Sequence, residues 1–385
     1  MGTVFNCVNY FAQGRGISRR IGDGFQLAAI ALLIAACQGS AMTTHDASRG
    51  DAVTDTPADA ASAGHWVAYV GGYGPSIGWY EVDRATGALT MAGSIPATGA
   101  SFLAFDQSRT HVYAVDETNS RVVAFAIDQT TGALTKLNDQ SSGGSGPAHL
   151  TVAGNRVLVA NYGDGAVAVL PIAADGSLQA ATQTLNAGSH AHEIVIHGGY
   201  AFVPCLGSDY VAQYTWDGNA LAPNAVPHMM TAAGAGPRHI VFAAPYAYLV
   251  DEVGSTLMTL AVDDATGRLS PLQTQTTLPA GFSGQNTAAE VQLRGGFLYA
   301  SNRGADDIAV FSIGSDGRAT PVTYVATGGQ TPRHFSLGPD GKLLYAANQG
   351  SNTVVPFAIT SGIPAPTAEP ITTQSPTFVE IAVLP

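Results

Sequence analysis

The sequence predicts an all-β fold built from closed repeats, and three observations predict it. Charged residues make up only 11% of the 385 while 46% are hydrophobic, against roughly 25% charged in typical soluble domains. Glycine (45) and proline (21) are abundant, so turns are frequent and the chain lacks the long charged helix formers of a bundle or coiled coil. From Trp66 onward one pattern of short apolar strands recurs at intervals of 43 to 51 residues, the size of a four-stranded propeller blade. The apolar content excludes disorder. A balance of 16 Lys+Arg against 28 Asp+Glu, net −12, excludes nucleic acid and acidic membrane surfaces as partners.

The first segment reads as an address. Arg15, Arg19 and Arg20 precede an apolar run from Phe25 to Ala36, which at about 12 residues is too short for the roughly 20 that span a bilayer. The run ends in Ile34-Ala35-Ala36-Cys37, which resembles the lipobox of bacterial lipoproteins. Residues 1–36 are therefore expected to be a lipoprotein signal peptide, with Cys37 lipidated and the protein anchored in the cell envelope on the periplasmic side. Ser18-Arg19-Arg20 also fits a twin-arginine signal, so the export route stays open. Residues 37–64 are mainly Ala, Ser, Thr, Asp and Gly and cannot bury enough apolar surface to offset the entropy of ordering. They are expected to form a disordered tether. With Cys37 acylated, Cys205 would have no partner in the mature chain, and stability must come from packing.

The propeller is expected over residues 65–385. Phe102, His149, His192, His239, Glu290, His334 and Phe378 anchor the successive first strands. Each is followed by a second strand ending in a pair: Gly72-Tyr73, Asp116-Glu117, Asn161-Tyr162, Cys205-Leu206, Asp251-Glu252, Asn302-Arg303 and Asn348-Gln349. The first blade has a second strand from Trp66 but nothing ahead of it, and the strand from Thr377 has nothing after it. The C-terminal strand is thus expected to complete the first blade, which removes the open sheet edges. The ring should have seven four-stranded antiparallel blades, and a monomer is expected.

A hairpin brings the start of its first strand and the end of its second to the same edge, so the anchors and the pairs should form one rim around the channel mouth. The rim carries His149, His190, His192, Arg238, His239, Asp251, Glu252, Asn286, Glu290, Asn302, Arg303, Arg333 and His334. Three of only 14 arginines and five of ten histidines fall there. Histidines recurring blade after blade suit internal hydrogen bonding as well as catalysis. Residues that break the symmetry carry more information: Arg238, Glu252, Arg303, the His190–His192 pair and the segment from Gln285 to Glu290. No G-x-S-x-G elbow, phosphate loop or hydrolytic zinc spacing is present, and Cys205 in FVPCLG reads as an inert thiol.

GAGPRHIVF at 234–242, YLVDE at 248–252, GFSGQNTAAEV at 281–291, LYASNRG at 298–304 and TPRHFSLGPDGKLLYAANQ at 331–349 resemble the seven-bladed propeller lactonases. That family includes bacterial 6-phosphogluconolactonases of the propeller type and carboxymuconate cyclases. The resemblance covers residues 66–385 and implies lactone hydrolysis or formation without metal or organic cofactor. It carries the active groups onto His190 or His192, Arg238, Glu252 and Arg303, with Arg333, His334, Asn286, Glu290, His149 and His239 as substrate contacts. Gly146-Pro147-Ala148-His149 and Gln285-Asn286 depart from the GPCH and ENTAAE of many relatives.

Opening a sugar lactone requires a base for water and cationic donors at the developing oxyanion. Glu252 suits the base, Arg238 and Arg303 the donors, and His192 or His190 the protonation of the leaving ring oxygen. The expected substrate is a small anionic or sugar lactone. An exported enzyme would not meet a cytosolic phosphorylated intermediate, so an unphosphorylated aldonolactone is an equal expectation. Muconate-type cycloisomerisation, or a non-catalytic envelope propeller binding a ligand or protein through the same rim, are the alternatives.

Overall fold

The computed structural model describes residues 64–385. The expected signal peptide, Cys37 and all but the last residue of the tether lie outside the described residues.

Seven antiparallel sheets succeed one another along the chain. Blade 1 pairs the C-terminal strand Pro376–Leu384 with His65–Gly72, followed by Ser76–Val82 and Leu89–Pro96. The last strand of the chain therefore occupies the first position of blade 1, as the sequence predicts. Blade 2 runs from Leu103–Phe105 to Leu134–Ser141, blade 3 from Pro147–Ala153 to Gln183–Asn186, and blade 4 from Val195–His197 to Leu221–Met230. Blade 5 runs from Pro237–Ala243 to Arg268–Thr276 and blade 6 from Thr287–Arg294 to Ala319–Ala326. Blade 7 starts at Pro332–Leu337, and its outer position is shared by two short segments, Ile363–Pro366 and Ile371–Thr372, both paired with Thr353–Thr360. The only helical element among the described residues is a single 3-10 turn at Leu206–Ser208.

The inner strands are buried on both faces, so they read as continuous apolar runs instead of alternating ones. Arg156–Asn161 and Leu343–Asn348, the second strands of blades 3 and 7, are buried over nearly their whole length. Each such Val or Leu side chain contributes about 1.5–3 kcal/mol by leaving water.

Neutral groups do much of the fastening between blades, in keeping with the scarcity of charge. The hydroxyls of Tyr69, Tyr113, Tyr248 and Tyr299 donate to the carbonyls of Gly132, Gly176, Gly317 and Gly362 at 2.8–3.0 Å. These glycines turn outer hairpins of the next blade with φ between +71° and +83°, a region that L side chains rarely enter. At Gly132 a Cβ would also come within 2.9 Å of the Val67 methyls. Amide side chains repeat the device: Asn138 bridges the backbone of Leu178, Gln183 that of Leu221, and Gln273 that of Ala319.

Candidate active site

The seven anchors converge on the axis. Phe102 lies 4.1 Å from the His149 ring and 4.9 Å from Phe378, centroid to centroid, with His334 at 5.9 Å and His239 at 6.2 Å. His192 is 5.1 Å from His239, and Glu290 Oε2 lies 2.9 Å from His239 Nδ1 and 3.6 Å from His334 Nε2. Residues from seven different blades thus plug the channel. The plug is wired internally. His149 Nδ1 accepts the Ile194 N–H, and its Nε2 lies 3.9 Å from Glu193, whose other oxygen accepts the Ile240 N–H at 2.6 Å. His334 Nδ1 accepts the Val379 N–H. Burial first, then Arg238, holds the His239 imidazole well below its ordinary pKa, so it remains neutral and donates Nδ1–H to Glu290.

Three first strands carry a Pro-x-His triplet, and each is bulged. The register shifts between Pro147 and His149, between Pro237 and His239, and between Pro332 and His334. A bulge inserts one residue and re-aims its side chain. The residues so placed, Ala148, Arg238 and Arg333, line a narrow cleft over the plug together with Ser101, Phe102, His192, His239, His334 and Thr377. The strand places His in the axis and the bulge lifts its neighbour into the mouth.

The paired positions after the second strands divide the same way, because successive side chains leave opposite faces of a strand. The first of three pairs is an asparagine that secures loops: Asn161 donates to the carbonyls of Ser142 and Ala166, Asn302 to the Thr277 carbonyl and the Asp307 carboxylate, and Asn348 to the Thr327 carbonyl. The second of several pairs enters the mouth, and these include Glu252, Arg303, Tyr73 and Tyr162.

Glu252 is the focus. Its Oε2 lies 2.8 Å from Arg303 Nη2 and 3.0 Å from Arg238 Nε, while Oε1 makes no hydrogen bond among the described residues. Arg238, 3% exposed, is held by the Ala289 carbonyl at 2.6 Å, and Arg303 by the Ala288 carbonyl at 3.0 Å. Burial raises the Glu252 carboxyl, but Arg238 and Arg303 outweigh it and hold the group below the ordinary carboxylate range. Burial, with Arg303 alongside, loosens the proton of Arg238 while Glu252 opposes the loss. A guanidinium so paired stays charged at neutral pH.

Around this triad, Arg333 sits half-buried with its guanidinium 5.7 Å from the Tyr73 ring centroid and no carboxylate within 4.0 Å among the described residues. Tyr73 donates to Glu117, which also accepts from Ser101. Burial, then Arg238, Arg333 and Arg303, keep His192 neutral, and its buried Nδ1 has no hydrogen-bond partner among the described residues.

The remaining expected residues separate by depth. His190, in a left-handed conformation with φ +56°, packs its ring 4.4 Å from Tyr162. Gly207 permits this, since a Cβ there would stand 2.3 Å from the His190 Nδ1. His149, His239, His334 and Glu290 belong to the plug beneath the cleft. Asn286 donates to Ser255 and Asn302 and accepts from the Ala305 N–H, pinning the preceding loop. Cys205 is buried, its thiol pushed up to about 12 by burial. Among the described residues no cluster of three or more His, Cys, Asp or Glu is arranged to hold a metal ion.

Sequence reasoning does not single out Tyr73, Glu117, Tyr162 or Glu193 as site residues. The first three occupy the same column as Glu252 and Arg303, so position in the repeat was the signal available. Glu193 follows His192 in the stretch just ahead of Val195–His197 and carries no such mark.

A closed propeller whose plugged axis supports a cleft with three arginines and one doubly clamped carboxylate belongs to the class of propellers that act on small polar molecules at one mouth. The particular family is shown directly: residues 67–381 match the seven-bladed β-propeller lactonase family, to which the chain belongs. Its relatives include 6-phosphogluconolactonases of Bacillus subtilis (strain 168), 32% identical over 318 residues, 76% of this chain and 90% of that protein, and of Sodalis glossinidius (strain morsitans), 32% identical over 315 residues, 78% and 94%. Among solved structures, the Pseudomonas aeruginosa periplasmic gluconolactonase PpgL superposes with a TM-score of 0.79 at 29% identity, covering 83% of this chain and all of that one (100%).

Proposed function

We propose that this protein is an exported hydrolase that opens a sugar-derived lactone, with Glu252 as the base that activates water. The observation that carries this is the asymmetry of one carboxylate, whose Oε2 is fixed by Arg238 and Arg303 while Oε1 makes no hydrogen bond among the described residues. A pinned, ionised carboxylate with one free oxygen can orient and deprotonate a water. The guanidinium nitrogens that Arg238 and Arg303 do not spend on Glu252, Ala288 or Ala289 supply donors for the carbonyl oxygen as it becomes an oxyanion. Neutral His192, with its unpartnered Nδ1, accepts a hydrogen bond from water or a substrate hydroxyl.

Arg333 has no carboxylate partner among the described residues and takes the substrate's anionic or most electron-rich end. The relatives named as 6-phosphogluconolactonases and the periplasmic gluconolactonase support lactone chemistry. The envelope location of the latter and the leader of this chain favour an unphosphorylated aldonolactone. Lipid anchoring through Cys37, at the end of the lipobox-like Ile34-Ala35-Ala36-Cys37, belongs to the same proposal.

The test is a panel of phosphorylated and unphosphorylated aldonolactones followed by acid release. Glu252→Gln should lower kcat by about 10²-fold or more. A wild type no faster than this variant on every lactone would dismiss the hydrolase.

A further inference from the structure

Lactone opening expels an alkoxide, which needs a proton donor on the ring-oxygen side, away from the water that Glu252 activates. Glu252, pinned through Oε2 by two arginines, is assigned to that water, His192 is held neutral, and the guanidiniums are committed as charged donors. Tyr73, the other mouth tyrosine, donates its hydroxyl to Glu117 at 2.9 Å.

Tyr162 remains. It follows the second strand of blade 3 in the column that also supplies Glu252 and Arg303. Its backbone is fixed by the N–H of Tyr162 to the Gly146 carbonyl and of Gly163 to the Ser145 carbonyl, both 2.9 Å. Its ring is clamped between His190 at 4.4 Å and the edge of His192 at 5.7 Å. The hydroxyl makes no hydrogen bond among the described residues, although the ring is half-buried in a crowded site. Burial first, then Glu252, raises its pKa, while Arg333, Arg238 and Arg303 oppose, which places the phenol within electrostatic reach of every charged group of the cleft.

We propose that Tyr162 is the proton donor of lactone opening, a catalytic residue whose hydroxyl protonates the departing ring oxygen. The inference rests on the lactonase function proposed above. Water loses a proton to Glu252 as its oxygen bonds to the carbonyl carbon. The bond between that carbon and the ring oxygen then breaks, and the Tyr162 proton passes to the oxygen released. The phenolate regains a proton from the Glu252 carboxyl through solvent, so one water is consumed per hydroxy acid formed.

Tyr162→Phe keeps the ring and its stacking and removes only the donor. On gluconolactone its kcat should fall about 10²-fold, the usual scale of general acid catalysis, with KM within about 3-fold and an unchanged melting temperature. An aryl lactone leaves as a phenolate and needs little proton assistance, so the same variant should lose less than about 5-fold on it. A gluconolactone kcat within about 3-fold of wild type, or a loss carried in KM, overturns the assignment. Equal losses on both lactones also overturn it, because a structural role does not discriminate by leaving group. A wild type inactive on all lactones would instead dismiss the lactonase function itself.

Discussion

Arg238 Nε and Glu252 Oε2 lie 3.0 Å apart, joined across the first and second strands of one blade, and Arg303 of the next blade closes on the same oxygen at 2.8 Å. The base of the site is therefore built across a blade boundary. Changes that loosen the packing of blades 5 and 6 should reach the chemistry.

The two arginines set the acid limit of activity. With Glu252 depressed in the folded protein, its working carboxylate persists below the ordinary carboxylate range and is lost as pH falls through the depressed value. The stability it contributes is present above the unfolded pKa and disappears over the same fall. Arg303→Ala should move the acid limb of kcat/KM to higher pH by about one unit, the size of a typical opposite-charge effect. A pH–rate profile checks this, and an unmoved limb would separate the base from Glu252.

Arg333 should sort substrates by charge. Arg333→Ala is expected to raise KM about tenfold for carboxylated or phosphorylated lactones, the scale of one charge-assisted hydrogen bond. Neutral gluconolactone should change by less than about threefold. Initial rates across salt concentrations provide the check, since the wild-type preference should weaken as ionic strength rises.

The plug holds the mouth in place. Replacing Glu290 by Leu strips His239 and His334 of their shared carboxylate and should destabilise the fold by about 1–3 kcal/mol, the cost of leaving the buried neutral His239 donor without its acceptor. Denaturant unfolding measures it. A loss below about 1 kcal/mol would mean that the ring is held by its aromatic contacts alone.

Much of this arrangement is legible in the residues themselves. The anchors and pairs mark every blade, because strands of a closed sheet repeat their apolar pattern and their turn glycines. The terminal strand finds its partner by elimination, since blade 1 lacks its first strand. Pro-Arg-His, repeated at 237–239 and 332–334, marks the two cleft arginines. Depth is not legible: His149 and His192 hold the same register in their blades, yet one is locked beneath Phe102 and the other lines the cleft floor. Tyr162 escapes notice because a tyrosine after a strand is ordinary in an all-β chain.

The sequence by itself determined the seven-bladed ring, its closure and the one edge where polar groups gather, because these follow from local periodicity and turn chemistry. Only the tertiary structure decided which of those groups meet. Bulges of a single residue turn Arg238 and Arg333 out of the sheet, and closing the ring brings Glu252 between arginines of two blades. The pKa of a carboxylate and the freedom of a hydroxyl are set by neighbours distant in the chain, and only the packed ring assigns those neighbours.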